Sequence, residues 1–174
     1  MIRRLCLIAV AACSSASTVP AAAPKPPAQP AQPAQLDPAL APLAGLVGTW
    51  QGADPDHHTT GGFTFVPDLG GKVLVRRSTN DRPQAHHEDL MIVFASPTGL
   101  RASYWDNEGH AIAYAVTATA GHVELVSDDV PDQPRFKLTN DLHGSDELAI
   151  DFAIKPPGAP DFQHYVGGIV HRVH

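Results

Sequence analysis

The sequence predicts an all-β fold, an antiparallel up-and-down β-barrel of about ten strands with a short N-terminal helix. Three observations carry that expectation. Short runs of alternating apolar and polar residues recur roughly every 8 to 14 residues from Gly48 onward, and no long helical stripe interrupts them. Turn-forming residues separate the runs, among them Pro67–Asp68–Leu69–Gly70–Gly71, Ser96–Pro97–Thr98–Gly99, Asn107–Glu108–Gly109 and Pro156–Pro157–Gly158. The first run, Leu46–Val47–Gly48–Thr49–Trp50–Gln51–Gly52, sets a glycine two residues ahead of a tryptophan. Gly48 permits a close backbone approach, and Trp50 is suited to cover the floor of a barrel. Closing a meander of this kind removes its exposed edges.

Taken in order, Asp37–Pro38 ahead of LAPLAGL reads as the N-cap and first turn of a short helix. Strands follow at 48–54, 60–67, 71–79, 86–95, 100–106, 111–119, 122–127, 134–140, 146–154 and 161–173. Period-two alternation assigns inward faces to most of them. Phe63 with Phe65, Ile112 with Tyr114 and Val116, Val123 with Leu125, and Phe136 with Leu138 each share a face. So do Leu148, Ile150, Phe152 and Ile154, and Phe162, His164, Val166, Gly168, Val170 and Arg172 in the last strand. Strands 71–79 and 86–95 are apolar on both parities, which leaves their inward face open.

Ahead of the domain, residues 1–23 read as an export signal: Arg3 and Arg4, then an apolar run too short to span a membrane. Val10–Ala11–Ala12–Cys13 resembles a bacterial lipobox, which would make Cys13 a lipidated first residue. The other reading is a plain signal cleaved later, near Ala21–Ala22–Ala23. Residues 24–35 form a Pro/Ala/Gln-rich linker, either a tether or a leader without a role, and 36–174 form the barrel domain. The expected location is exported, in the periplasm or on the outer membrane as a lipoprotein, with the membrane touched only through the lipid. Cys6 and Cys13 are the only cysteines, so the folded part has neither a disulfide nor a thiolate metal site. Without Arg3 and Arg4, ten basic side chains face 18 acidic ones, a net charge of −8. That sign argues against a nucleic-acid partner.

Gly48-x-Trp50 in the first strand, with Arg172 near the end of the last, resembles the calycins, the superfamily of lipocalins, fatty-acid-binding proteins and nitrobindin-like barrels. LGGKVLVRRS, HHEDLMIVF and YWDNEGHAIAY are similar to bacterial barrel domains of that type with no assigned function. The resemblance implies a barrel over 44–174 in which the arginine packs across the tryptophan and closes the base. It also implies a haem alternative, since nitrobindin-like barrels hold haem through a histidine near the last strand, where His164 stands.

The remaining chemistry is sparse. No His-x-His pair, HExxH helix or Cys ligand marks a metal site, and metal ligands are expected to be none; His87 with His164 on separate strands is the one combination left to geometry. No nucleophile elbow or triad spacing appears, and Glu88 with Asp89, or Asp106 with Glu108, are ordinary solvated carboxylates unless a cavity gathers them. No catalytic residues and no resident cofactor are expected. The expected function is enclosure of a small hydrophobic or amphipathic molecule, with Phe65, Tyr104, Tyr114, Phe136 and Phe152 as wall and Arg76, Glu88 and His164 as polar contacts. The alternative from another class is a filled barrel that acts as an envelope interaction module through its rim.

Overall fold

A computed structural model describes residues 35–53, 60–82 and 85–174. The expected signal, Cys13 and nearly all of the linker lie outside them. Ten strands form one closed antiparallel barrel: β1 (Gly48–Ala53), β2 (Thr60–Asp68), β3 (Val73–Arg82), β4 (Ala85–Ser96), β5 (Gly99–Asp106), β6 (Ala111–Thr119), β7 (His122–Ser127), β8 (Arg135–His143), β9 (Glu147–Lys155) and β10 (Gln163–Val173). Each strand pairs with its sequence neighbours, and β10 returns to β1. The expected fold and the order of all ten strands are present. β3 and β4 share ten registered pairs, whereas β1 and β10 share only four, from Thr49↔Val173 to Gly52↔Val170.

The helix ahead of β1 is a 3₁₀ helix, Pro38–Leu46. Its sequence explains the type: Leu40, Leu43 and Leu46 recur every third residue, and three residues per turn stack them in one row. All three are buried and join Trp50, Leu74, Val93 and Leu148 in the core. Asp37 caps the first turn by accepting from the Ala39 N–H, and its other oxygen meets Lys72 Nζ at 2.6 Å. The Asp37 N–H donates to the Gly71 carbonyl at 2.9 Å. Gly71 has φ +83, and a Cβ there would run into the Gln35 carbonyl, so only glycine lets the helix lie against the β2–β3 turn.

Trp50 is fully buried and donates its indole N–H to the Leu46 carbonyl at 2.8 Å. Arg172 crosses the indole at 4.2 Å from the ring centroid. Its guanidinium donates to three backbone carbonyls: Nε to Ser145 at 2.7 Å, Nη2 to Gly45 at 2.8 Å, and Nη1 to Val47. Gly48, at φ +136, leaves the space that Nη1 occupies. One side chain thereby ties the C-terminus of the helix, the start of β1, the β8–β9 turn and β10 into a single floor.

Loss of the guanidinium leaves those carbonyls unpartnered, and charged hydrogen bonds contribute about 1.5–3 kcal/mol apiece without adding fully. Arg172→Met is expected to destabilise the domain by about 2–4 kcal/mol in urea unfolding. Arg172→Lys should recover less than half of that, because an ammonium cannot fork to three acceptors over a ring.

Candidate functional site

The floor closes one end, so the site lies at the other, where β5–β6, β7–β8 and β9–β10 turn. Trp50, Phe63, Met91 and Leu125 are buried inward residues, and register carries that parity across neighbouring strands. On β4 the parity selects His87, Asp89, Met91 and Val93; on β5 it selects Ala102, Tyr104 and Asp106. His87, Asp89, Tyr104 and Asp106, with Arg76 of β3 and His110 just before β6, make a polar wall.

Arg76 is its one guanidinium. It pairs with Asp89 at 3.3 Å and lies 5.0 Å from the Phe63 centroid. Asp89 is 5% exposed, and its Oδ1 accepts no hydrogen bond among the described residues. Tyr104 donates its hydroxyl to Asp106 Oδ2 at 3.1 Å, and the Tyr104 hydroxyl oxygen lies 3.3 Å from His87 Nε2. His87 Nδ1 is 3.2 Å from Glu108, and its Nε2 is 3.6 Å from Asp89. Asp106 accepts from the backbone N–H groups of Glu108 and His110, and its Oδ2 is 2.8 Å from His110 Nδ1.

These contacts set charge states. Burial pushes the Asp106 carboxyl up, but the hydrogen bonds from His110 and Tyr104 together outweigh it and hold the group below its ordinary 3.8. Burial first, then the nearby Asp89 and Asp106 carboxylates, drives the Tyr104 phenol far above its ordinary value, so it remains a donor. Burial does the same for Tyr114, against a small opposing effect of Arg76.

The facing wall is apolar. Phe136 and Phe152 stack with centroids 6.0 Å apart, and Tyr165 meets Phe152 edge-on at 6.1 Å. Ile150, Ile154 and Val166 share that parity. Val166 points inward yet is 44% exposed, and a Cβ built on inward-facing Gly168 would meet nothing within 4 Å. Among the described residues, the interior at this end is open beside β10.

Of the expected site residues, Arg76, Tyr104, Phe136 and Phe152 line this opening. Phe65 and Tyr114 also face inward, but both are buried in the packed part of the core. Two polar contacts are corrected. Glu88 is on the outer face of β4, where its carboxylate meets His86 Nε2 at 3.0 Å; the inward carboxylate is its neighbour Asp89. His164 is also outside, bonded through Nδ1 to Asp151 and about two-thirds exposed. The cause is a β-bulge between His164 and Val166, which breaks the period of two along β10. Phe162 goes outside with it, beside Arg135 and Lys137.

His164 therefore has no line to the interior, and neither a metal shared with His87 nor an interior haem fits it. Sequence reasoning weighed His87 only as a metal partner of His164 and set Asp89 and Asp106 aside as solvated carboxylates, and it missed His110. Counting in twos from Met91 would have found the two on β4, had the sequence said which parity was buried.

No family model matches this chain, and no curated protein matches it. Among solved structures, Rv2717c from M. tuberculosis is similar at 17% identity with a TM-score of 0.53, over 80% of this chain and all of that one. The likeness is one of fold.

Because the Asp106 carboxyl is held low in the folded protein, its stabilising contribution is present above 3.8 and disappears as pH falls through the folded value. Asp106→Asn is expected to cost about 1–2 kcal/mol near neutral pH. The gap from the parent should close on acidification below about pH 4, read from urea midpoints across pH.

Proposed function

We propose that this chain is an exported, calycin-like carrier that encloses one small amphipathic molecule at the open end of its barrel. The single observation that carries the reading is the unfilled space beside β10. Apolar side chains normally bury one another to the density of an organic crystal. Here Val166 faces inward half bare, and Gly168 looks into room for a larger side chain.

An open apolar half against a polar half is the usual composition of a ligand site. Energetics explains why both halves are needed. A ten-carbon tail gains roughly 8 kcal/mol at about 0.8 kcal/mol per methylene, and association costs about 4 kcal/mol or more. What remains corresponds to a Kd of about 1 mM, so micromolar affinity needs a head-group contact. Arg3 and Arg4 with their short apolar run support export, and the Pro/Ala/Gln-rich segment supports a tether. Cys13 is proposed as its lipid attachment point.

Gly168→Leu puts four carbons into the opening without a backbone clash. It is expected to weaken binding of the uncharged fluorescent probe N-phenyl-1-naphthylamine at least about tenfold, or 1.4 kcal/mol, while leaving the urea midpoint unchanged or higher. Unaltered probe binding in a folded Gly168→Leu protein would overturn the reading.

A further inference from the structure

We propose that the enclosed molecule is a cationic amphiphile, an amine on an apolar tail, and that fatty-acid-like carboxylates are rejected. This deepens the enclosure reading and rests on it. The argument starts from Arg76, the guanidinium at the site and the group a carboxylate would seek. It is already committed to Asp89, which is nine-tenths buried and faces the same space. A carboxylate ligand would have to displace a neighbour that is covalently in place and loses no translational freedom by staying.

The remaining groups also favour a cation. Beside the one guanidinium stand three carboxylates, Asp89, Asp106 and Glu108, together with the imidazoles of His87 and His110. With both imidazoles neutral the formal sum is −2, and with both protonated it is zero. While the carboxylates are ionised, neither imidazole state gives the wall net positive charge to offer an anion.

Acceptors are in surplus as well. Asp89 Oδ1 has only Arg76 Nη1, 3.3 Å away and outside hydrogen-bond geometry, and the single Tyr104 proton is given to Asp106. An ammonium brings three donors to such a place, whereas a carboxylate brings none.

The rim points the same way. The three described turns at the open end carry Glu108, Asp128, Asp129, Asp132 and Asp161, and no Lys or Arg. Arg101 and Arg135, on the strands, neutralise only Asp128 and Asp129. Lys155 ends β9 beside the third turn, but Glu108, Asp132 and Asp161 outnumber it, and the net negative rim draws cations towards the opening.

The test uses three probes with one tail, decylamine, decanol and decanoate, competed against N-phenyl-1-naphthylamine on the purified protein near pH 7.5, where an alkylamine is protonated. The expected order is decylamine, then decanol, then decanoate, with decylamine at least about tenfold ahead of decanoate. Glu108→Gln, at an exposed position that carries little folding cost, should narrow that ratio about threefold or more. Asp89→Asn releases Arg76 and should invert the order, so that decanoate overtakes decylamine. If that variant fails to fold, the Glu108→Gln ratio decides. Binding of decanol and decanoate with decylamine no better would overturn the cation proposal and leave the carrier reading standing. Failure of all three to displace the probe would overturn both.

Discussion

The guanidinium of Arg172 lying across the Trp50 indole is the contact on which the rest of the barrel depends. An isolated meander would end in two free edges, and among the described residues the seam joining its first and last strands is four residue pairs long. The aromatic face and three carbonyls hold Arg172 at that seam, next to the buried leucine row of the 3₁₀ helix. With the lower end fixed so firmly, side chains need not fill the upper end to keep the sheet closed. Stability is concentrated at one pole, and the other is free to remain hollow.

The polar wall carries a thermodynamic cost that a merely structural core would avoid. Burying an ion pair such as Arg76–Asp89 among apolar groups is often no better than hydrophobic packing of the same volume, the more so when, as here, the paired oxygen accepts no hydrogen bond. The chain places these groups together, opposite stacked Phe136 and Phe152, where the packing is already incomplete. Coincidence of electrostatic cost with empty space is what separates a binding cavity from an imperfect core.

Much of this architecture is legible in the sequence. Alternation and turn chemistry mark all ten strands, and Gly48-x-Trp50 with Arg172 marks the floor. The failures have physical causes. Leu90, Met91, Ile92 and Val93 are apolar on both parities, so local pattern does not say whether Glu88 or Asp89 faces inward; only pairing with Ser78 and Asp106 decides it. The bulge ahead of Val166 carries no proline and follows an unbroken alternation, so its reversal of His164 is set by pairing with β9. The 3₁₀ geometry was present in the spacing of three between leucines, but a capped apolar segment suggests an α-helix equally well.

The bulge has an effect beyond turning one histidine outward. Above Val170, β10 has no registered partner on β1 among the described residues, whereas its pairing with β9 continues through Gly167 and Gly168. Gly167 and Gly168 lie in the middle of that stretch, opposite Asp151 and Ile150. Two adjacent glycines there give the strand no side chains to pack, whereas on the far flank β3 is laced to β4 over ten pairs.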